Sequence, residues 1–222
     1  QHPRLARLLS KRQGVCYQQL TRESVLAGTA PAAEAPLIYI DNGANLGFAA
    51  GNNVGIRYAL QQADMARVWL LNNDTLVEPD TLARMVGRLE QEPAPSICGS
   101  RLMFADDPAV VQAMGGNGYN AWTGNASQSL GRYLPESAEL DASEYEAQLD
   151  YLCGASMLLP RAFLEQVGLM CEDYFLYYEE VDWMTRNKGR FKQLIADDAL
   201  VYHKEGSSIG SASLDTRPSA LS

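Results

Sequence analysis

The fold of this chain is decided by the octapeptide Val68-Trp-Leu-Leu-Asn-Asn-Asp-Thr75, in which four apolar residues run directly into Asn-Asn-Asp. The apolar run has the length of one buried strand, and the polar residues that end it favour turns. Pro79 follows between two acidic residues, a pattern typical of a first helical turn. The sequence therefore predicts that Asp74 lies at the carboxyl end of a buried strand, where open α/β sheets bind ligands.

The composition is that of a globular domain with an acidic surface. Of the 222 residues, 46% are hydrophobic and 20% are charged, and the formal net charge is −9. This charge argues against a nucleic-acid-binding surface, which needs clustered Lys and Arg. The four cysteines contain no CxxC pair, so we predict reduced thiols in a cytosolic protein and no zinc site.

Residues 1–36 are predicted to form a helical and linker segment in front of the main domain. Leu5, Leu8 and Leu9 recur at helical spacing among basic residues, and residues 27–36 are rich in Ala and Pro. The helix is compatible with two interpretations, a solvated surface helix or a weak peripheral anchor at the inner face of an acidic membrane. The solvated helix is the commoner of the two.

The main domain is predicted to span residues 37–204 as alternating strands and helices. A strand at residues 37–40 leads through a turn rich in Gly and Asn into a helix, and the helix leads into the strand at 68–71. This order predicts a βαβ unit whose second strand delivers Asp74. Further strands are expected at 97–104, 151–159, 191–195 and 199–202. Residues 106–143 should form loops and short antiparallel strands over one face of the sheet, and residues 205–222 a flexible tail.

Three polar features follow separate apolar elements: Asp74, His203, and the acidic cluster of Glu179, Glu180 and Asp182. A carboxylate and an imidazole are suitable ligands for a divalent ion that also binds phosphate oxygens. A separate carboxylate could serve as a general base. Taken alone, a single histidine at a strand end is more often a structural residue than a metal ligand.

A set of motifs, in this order, resembles the family 2 glycosyltransferases and, within them, the rhamnosyltransferase-like branch. The motifs are Asn45-Leu-Gly-Phe-Ala-Ala-Gly-Asn-Asn53, Leu71-Asn-Asn-Asp-Thr75, Gly154-Ala-Ser-Met157, Phe175-Leu-Tyr-Tyr-Glu-Glu-Val-Asp-Trp183 and Val201-Tyr-His203. The resemblance implies a GT-A fold, a Rossmann-like mixed sheet with helices on both faces. It departs from the family in that no counterpart of the N-terminal strands is visible before residue 37.

The resemblance also implies a role for each motif residue. Asp74 and His203 would hold Mg²⁺ or Mn²⁺ on the sugar-nucleotide diphosphate, and Glu180 would be the catalytic base, with Asp182 as the alternative. The nucleotide pocket would be lined by Asn45, Gly47, Phe48, Asn53 and Asn73, and the acceptor side by Gly154, Ala155 and Glu179.

The reaction implied is inverting transfer from dTDP-rhamnose or a UDP-sugar to a hydroxyl of a glycan or lipid-linked acceptor, as in surface polysaccharide synthesis. A non-catalytic sugar-nucleotide-binding module, or a truncated glycosyltransferase fragment, is the alternative. A nucleotidyltransferase is disfavoured because residues 45–53 contain no basic residue to bind a triphosphate.

Overall fold

The structure is a computed structural model that describes residues 14–204 together with Leu5 and Leu8, except for the side chains of Ser127 and Gln128. The predicted flexible tail at 205–222 lies outside the described residues. The strands are β1 (Tyr17–Thr21), β2 (Leu37–Asp41), β3 (Arg67–Leu71), β4 (Thr75–Val77), β5 (Ser96–Phe104), β6 (Val111–Met114), β7 (Gly116–Asn120), β8 (Asn125–Ser129), β9 (Tyr151–Leu152), β10 (Ser156–Pro160) and β11 (Lys192–His203). The helices are α1 (Arg22–Leu26), α2 (Gly47–Gln61), α3 (Thr81–Gln91), α4 (Ala142–Glu146), α5 (Arg161–Val167) and α6 (Glu179–Asn187).

A mixed sheet of six strands forms the centre of the molecule, in the order β3-β10-β5-β11-β4 with β6 paired to β5. β5 runs parallel to β11 and antiparallel to β10, and β10 runs antiparallel to β3. All nine residues of β5 are buried, as expected of a central strand covered on both faces. The predicted mixed α/β sheet is thus present.

Helices cover both faces of this sheet, because each face buries its own cluster of apolar side chains. On one face, α2, α5 and α6 contribute Ile56, Phe163 and Trp183 to a cluster with Ile97 and Met157. On the other face, the main contributors from α3 are Met85 and Leu89, which pack on Cys98, Leu158 and Leu194. The Trp183 ring packs edge-on against the Phe163 ring at a centroid distance of 5.2 Å, which anchors α6 to the domain.

The prediction of a helical and linker segment over residues 1–36 needs correction, because β1 lies within it and pairs in parallel with β2. The sequence Tyr-Gln-Gln-Leu-Thr does not predict this strand, because Leu20 is its one buried residue and the usual alternation of apolar side chains is weak. Leu5 is helical and 8% exposed, among side chains that include Met103 and Val111. Its apolar side chain therefore packs on the domain.

Three further predictions about strands are corrected by the hydrogen-bond pattern. β2 and β3 flank α2 but belong to different sheets, so the predicted βαβ unit is not one hydrogen-bonded unit. The strand predicted at 151–159 is two strands, separated by a turn at 153–155. The two strands predicted at 191–195 and 199–202 are one strand, β11, with an irregularity between Ala196 and Leu200.

The segment at 106–143 agrees with its prediction of loops and short antiparallel strands. β6 pairs antiparallel with β5, and β7 pairs antiparallel with both β8 and β9 in a small separate sheet.

None of the described helices is both long enough and apolar enough to span a membrane.

Candidate active site

The turn after β3 brings Asp74 and His203 together. β4 follows the turn and pairs antiparallel with the end of β11, so that Thr75 lies opposite His203. Thr75 Oγ1 donates a hydrogen bond to the Asn72 carbonyl at 2.6 Å, and the Lys204 amide donates to the Asp74 carbonyl at 3.1 Å. These bonds hold the turn so that the carboxylate and the imidazole are neighbours.

The two side chains are nearly buried and face each other directly. Asp74 Oδ1 lies 3.4 Å from His203 Nε2, and the side chains are 16% and 14% exposed, respectively. On the opposite side of the ring, His203 Nδ1 lies 3.0 Å from Oε1 of Gln112. Asn72 Nδ2 lies 3.5 Å from Nε2. The imidazole is therefore held at both nitrogens.

This pair has the chemistry of a partial divalent metal site. Neighbouring ligands of an octahedral ion bound at about 2.1 Å lie about 3 Å apart, close to the observed separation of 3.4 Å. Within residues 14–204, no group of three or more His, Cys, Asp or Glu side chains forms a metal-binding cluster. The two side chains therefore fit an ion whose remaining ligands are water or phosphate oxygens.

Glu180 lies in the first turn of α6, where its carboxylate is bound by a backbone amide. Gly154 N–H donates to Glu180 Oε1 at 3.1 Å. Burial, together with the neighbouring charge of Glu179, raises the pKa of Glu180 to about 7, against the opposing effect of the Gly154 hydrogen bond. A carboxylate with this pKa is suited to accept a proton near neutral pH.

Glu179 is 2% exposed, and its Oε2 has no hydrogen-bond partner among the described residues. Burial raises its pKa as well. The predicted contact of Glu179 with an acceptor is not supported by this placement, because the side chain has almost no accessible surface. Its charge lies close enough to Glu180 to disfavour ionisation of that carboxyl group and so helps to raise its pKa.

Asp182 lies on α6 but is engaged by a cation. Arg186 Nε lies 2.7 Å from Asp182 Oδ2, and the same guanidinium donates to the carbonyls of Val167 and Leu169. The pair therefore ties α6 to the segment that follows α5. This arrangement gives Asp182 a structural contact that Glu180 lacks.

The segment Gly154-Ala155 joins the two halves of the site. Gly154 N–H binds Glu180, and the carbonyl of Ala155 accepts from Asn72 N–H at 3.1 Å. A Cβ at position 154 would collide with the Glu180 carboxylate and lie 2.8 Å from Phe48 Cζ. Ala155 is 3% exposed. Both residues, predicted on the acceptor side, therefore act through their backbone.

The Gly- and Asn-rich turn at the start of α2 contacts the segment that precedes Glu180. Phe48 N–H donates to the Phe175 carbonyl at 3.0 Å, and Gly47 has a φ of 78°, where a Cβ would collide with that same carbonyl. Only glycine meets both requirements without strain. Asn45 Oδ1 accepts from Gly47 N–H at 3.0 Å and shapes the turn.

The structure separates the two remaining residues predicted to line the nucleotide pocket. Asn53 is 1% exposed, and its amide binds both the carbonyl and the N–H of Met170 and the carboxylate of Glu172. It therefore supports the loop after α5 from within. Asn73 is exposed in the turn beside Asp74.

Several contacts of the site could not be identified from the sequence. Gln112 is an isolated glutamine in β6, distant in sequence from the histidine that it contacts. The pKa of Tyr151 is raised to about 12, by burial first and then by the charge of Glu180. Tyr178 has a φ of 68° and donates its hydroxyl to the Gly124 carbonyl at 3.1 Å. Each of these contacts joins residues that are distant in sequence.

Comparison with known proteins identifies the family. The model of the family described as Glycosyl transferase family 2 matches residues 23–165, which is more than half of the chain. The chain belongs to glycosyl transferase family 2. The matched range includes the Asp74 turn and the Gly154-Ala155 segment, and it ends before α6.

Two proteins illustrate the similarity. The chain is 30% identical over 149 residues to the low-salt glycan biosynthesis hexosyltransferase Agl10 of Haloferax volcanii, covering 67% of this chain and 45% of that protein. The fold is similar to that of GalNAc-T7, solved with UDP, GalNAc and Mn²⁺, with a TM-score of 0.53 and 12% identity. That similarity covers 76% of this chain and 32% of GalNAc-T7. The chain thus spans less than half the length of either protein.

These findings confirm the predicted family and the GT-A-like mixed α/β fold. They do not confirm the rhamnosyltransferase branch, because the matched relative is named a hexosyltransferase. The family and this relative support a glycosyltransferase domain in the chain.

Proposed function

We propose that the protein transfers a sugar from a nucleoside-diphosphate sugar to a hydroxyl of a glycan or lipid-linked acceptor, with inversion at the anomeric carbon. The observation that carries the proposal is the double attachment of Gly154-Ala155, which binds Glu180 on one side and the Asp74 turn on the other. A proton acceptor and a candidate diphosphate-binding turn are thereby held in one rigid frame. Both are needed for a displacement at a sugar phosphate.

Glu180 is proposed as the base that takes the proton from the acceptor hydroxyl. Its carboxylate is held by one backbone amide, is partly accessible and has a pKa raised to about 7, mainly by burial. Asp182 is the weaker candidate because Arg186 binds its carboxylate at 2.7 Å. A single base suffices for an inverting displacement, since the hydroxyl attacks directly from the face opposite the leaving group.

Asp74 and His203 are proposed to hold Mg²⁺ or Mn²⁺. The ion would neutralise the negative charge that builds on the leaving diphosphate. The donor set and separation of the two side chains support this, as does the Mn²⁺ in the GalNAc-T7 structure of the same fold. Asn45, Gly47, Phe48 and Asn73 are proposed to lie along the nucleotide, with Asn53 holding the loop beneath them.

Two sugar nucleotides are candidates for the donor, and one screen can distinguish between them. The motif resemblance favours dTDP-rhamnose, whereas the hexosyltransferase relative and the UDP in GalNAc-T7 favour a UDP-hexose. Release of UDP or dTDP should be measured with each sugar nucleotide. Binding of a donor without transfer, equal in the wild type and in Glu180→Gln, would instead favour the non-catalytic module.

The acceptor is proposed to lie against an exposed apolar surface beside Glu180, here called the aromatic surface. It consists of residues 174–178 and Trp122, and the Tyr178 hydroxyl bonded to Gly124 links its two parts. Trp122 is 99% exposed at the end of the β7–β8 hairpin. Aromatic rings exposed next to the base are suited to pack on the apolar parts of a sugar or lipid. We propose that the protein is cytoplasmic and works at the inner face of the membrane, where the aromatic surface would contact a lipid-linked acceptor.

Metal-dependent nucleotide binding tests the proposed site. Calorimetric titration with UDP and dTDP should show binding in Mn²⁺ that is lost in EDTA, and Asp74→Ala should abolish the difference. Asp64→Ala, at an exposed position away from the turn, is the matched control and should bind as the wild type does. Equal binding in Mn²⁺ and EDTA would contradict the role of Asp74.

A further inference from the structure

We propose that Arg132 is a further donor-binding residue, whose guanidinium binds the diphosphate of the sugar nucleotide beside Asp74 and His203. The inference deepens the proposed function and rests on it, because it names a recognition residue for the same site. Arg132 lies between β8 and α4, outside the motifs that supply Asp74 and His203.

Phe104 connects the position of Arg132 to the site. It is the last residue of β5 and lies opposite His203 in the parallel pairing of β5 with β11. Residues paired in this way extend their side chains from the same face of the sheet, on strands about 5 Å apart. The Phe104 side chain therefore lies beside His203, at the end of β5 next to the Asp74 turn.

The contact of Gln112 with His203 supports this placement. β6 and β11 pair with opposite sides of β5, so the contact between the two side chains, at 3.0 Å, crosses over the end of β5 where Phe104 lies. Gln112 lies between two residues of β6 that pair with consecutive residues of β5, which makes it the extra residue of a β-bulge. Bulges redirect side chains and are frequent next to active sites.

Arg132 is held over the Phe104 ring by aromatic contacts. Its Cζ lies 4.8 Å from the centroid of the Phe104 ring and 4.9 Å from that of the Tyr133 ring. The two rings stack on each other with centroids 5.7 Å apart and an interplanar angle of 13°. An arginine that contacts ring faces is attracted to them by its charge. The stack therefore fixes a positive charge next to the residue that neighbours His203.

The backbone around Tyr133 is arranged to keep its ring in this stack. Tyr133 has a φ of 69°, which is uncommon for a residue other than glycine and persists where the surroundings impose it. Its N–H donates to the carbonyl of Val111 at 2.9 Å, and the N–H of Val111 donates to the carbonyl of Leu134 at 2.8 Å. These bonds attach the segment that carries Arg132 to β6, the strand of Gln112.

The charges of the site favour a cation in addition to the proposed metal ion. The diphosphate is an anion, the chain has a net charge of −9, and residues 45–53 contain no basic residue. Arginine presents five N–H donors in a planar fork that matches phosphate oxygens. A guanidinium that stacks by its face binds such oxygens through its edge. Arg132 is therefore suited to share the charge of the diphosphate with the ion held by Asp74 and His203.

The substitution Arg132→Gln separates a diphosphate contact from a general packing role. Calorimetry of the full natural polypeptide in Mn²⁺ should show about 10- to 100-fold weaker binding of UDP, dTDP and inorganic pyrophosphate, the usual loss for a hydrogen bond between charged groups. Affinity for Mn²⁺ alone, measured by electron paramagnetic resonance, should be unchanged or higher, because a nearby cation has been removed. Arg67→Gln, at the end of β3 far from the Asp74 turn, is the matched control and should bind as the wild type does.

The possible outcomes distinguish this inference from the proposed function. Unchanged affinity of Arg132→Gln for UDP, dTDP and pyrophosphate would overturn the inference and leave the proposed function intact. A parallel loss of Mn²⁺ affinity would indicate a distorted site and would also overturn it. If only the KM of a diphosphate-bearing acceptor rises, Arg132 binds the acceptor and the assignment to the donor is wrong. A wild type that binds none of the three ligands in Mn²⁺ would contradict the proposed metal site and this inference together.

Discussion

At the scale of single residues, the site depends on very close packing around the Glu180 carboxylate. Gly154 donates its amide to Glu180 and lies against the Phe48 ring, leaving no space for a Cβ. The absence of a side chain at this position is therefore a geometric requirement. The sequence shows that Gly154 belongs to a motif. The reason for a glycine there is its contact with Glu180, which joins the turn before β10 to α6 and can be recognised only in the folded structure.

The substitution Gly154→Ala should damage the site more than the fold. The added methyl group must displace the Glu180 carboxylate or the Phe48 ring, so we expect turnover to fall by one to two orders of magnitude, on the order of the loss caused by a small misplacement of a catalytic group. Gly55→Ala is the matched control, because a Cβ there meets no atom within 4 Å in the helix α2. It should stabilise the protein by about 0.5–1 kcal/mol. Equal activity in both variants would contradict the packing argument.

For Asn53, the role predicted from the sequence differs from the one that its contacts in the structure indicate. Its amide forms hydrogen bonds to the backbone of Met170 on both sides, within the core. Asn53→Ala should lower the free energy of unfolding by roughly 2–4 kcal/mol, because buried backbone groups lose their partners. Asn52→Ala, which loses one bond to Phe48 within the helix, should cost about 1 kcal/mol.

Chemical denaturation of the two asparagine variants provides the measurement, with nucleotide affinity measured in parallel. A stable Asn53→Ala protein that has lost nucleotide binding would restore Asn53 to the nucleotide pocket.

At the scale of helices and strands, the sequence predicts elements whose apolar pattern is local and misses those that depend on pairing. The apolar spacing of α3 and the buried run of β5 are both confirmed as elements. β1 was missed because its single buried side chain, Leu20, is contributed to a small cluster with Val25 and Val54 rather than to the main core. Likewise, the apolar composition of residues 151–159 gives no indication of the turn that divides them into two strands. The bulge at Gln112 depends only on the register in which β6 pairs with β5.

At the scale of the whole molecule, buried carboxylates make stability depend on pH. The folded-state pKa of Glu180 is raised from 4.5 to about 7, so between these values the folded protein binds more protons than the unfolded chain. The free energy of unfolding should therefore fall as the pH rises from about 4.5 to 7 through this group. Relative to pH values below 4.5, the loss of stability through this group is on the order of 3 kcal/mol at pH 8.

Urea unfolding of the wild type and Glu180→Gln at several pH values measures this contribution. The amide cannot ionise, so the variant should gain stability relative to the wild type as the pH rises, with little difference near pH 4.5. A constant difference across this range would show that the Glu180 environment is not as described.

In the proposed reaction, Glu180 accepts a proton at a site shared with Asp74 and His203. The most direct test is the turnover of sugar transfer as a function of pH in the full natural polypeptide, using the donor found by screening. Wild-type turnover should rise with pH to a plateau, with an apparent pKa near 7, because Glu180 must be ionised. Glu180→Gln should lower turnover by about 10²–10⁴ at nearly unchanged nucleotide affinity, whereas Asp182→Asn should mainly raise KM. The reverse pattern would move the base to Asp182, and near-full activity in both variants would contradict the account.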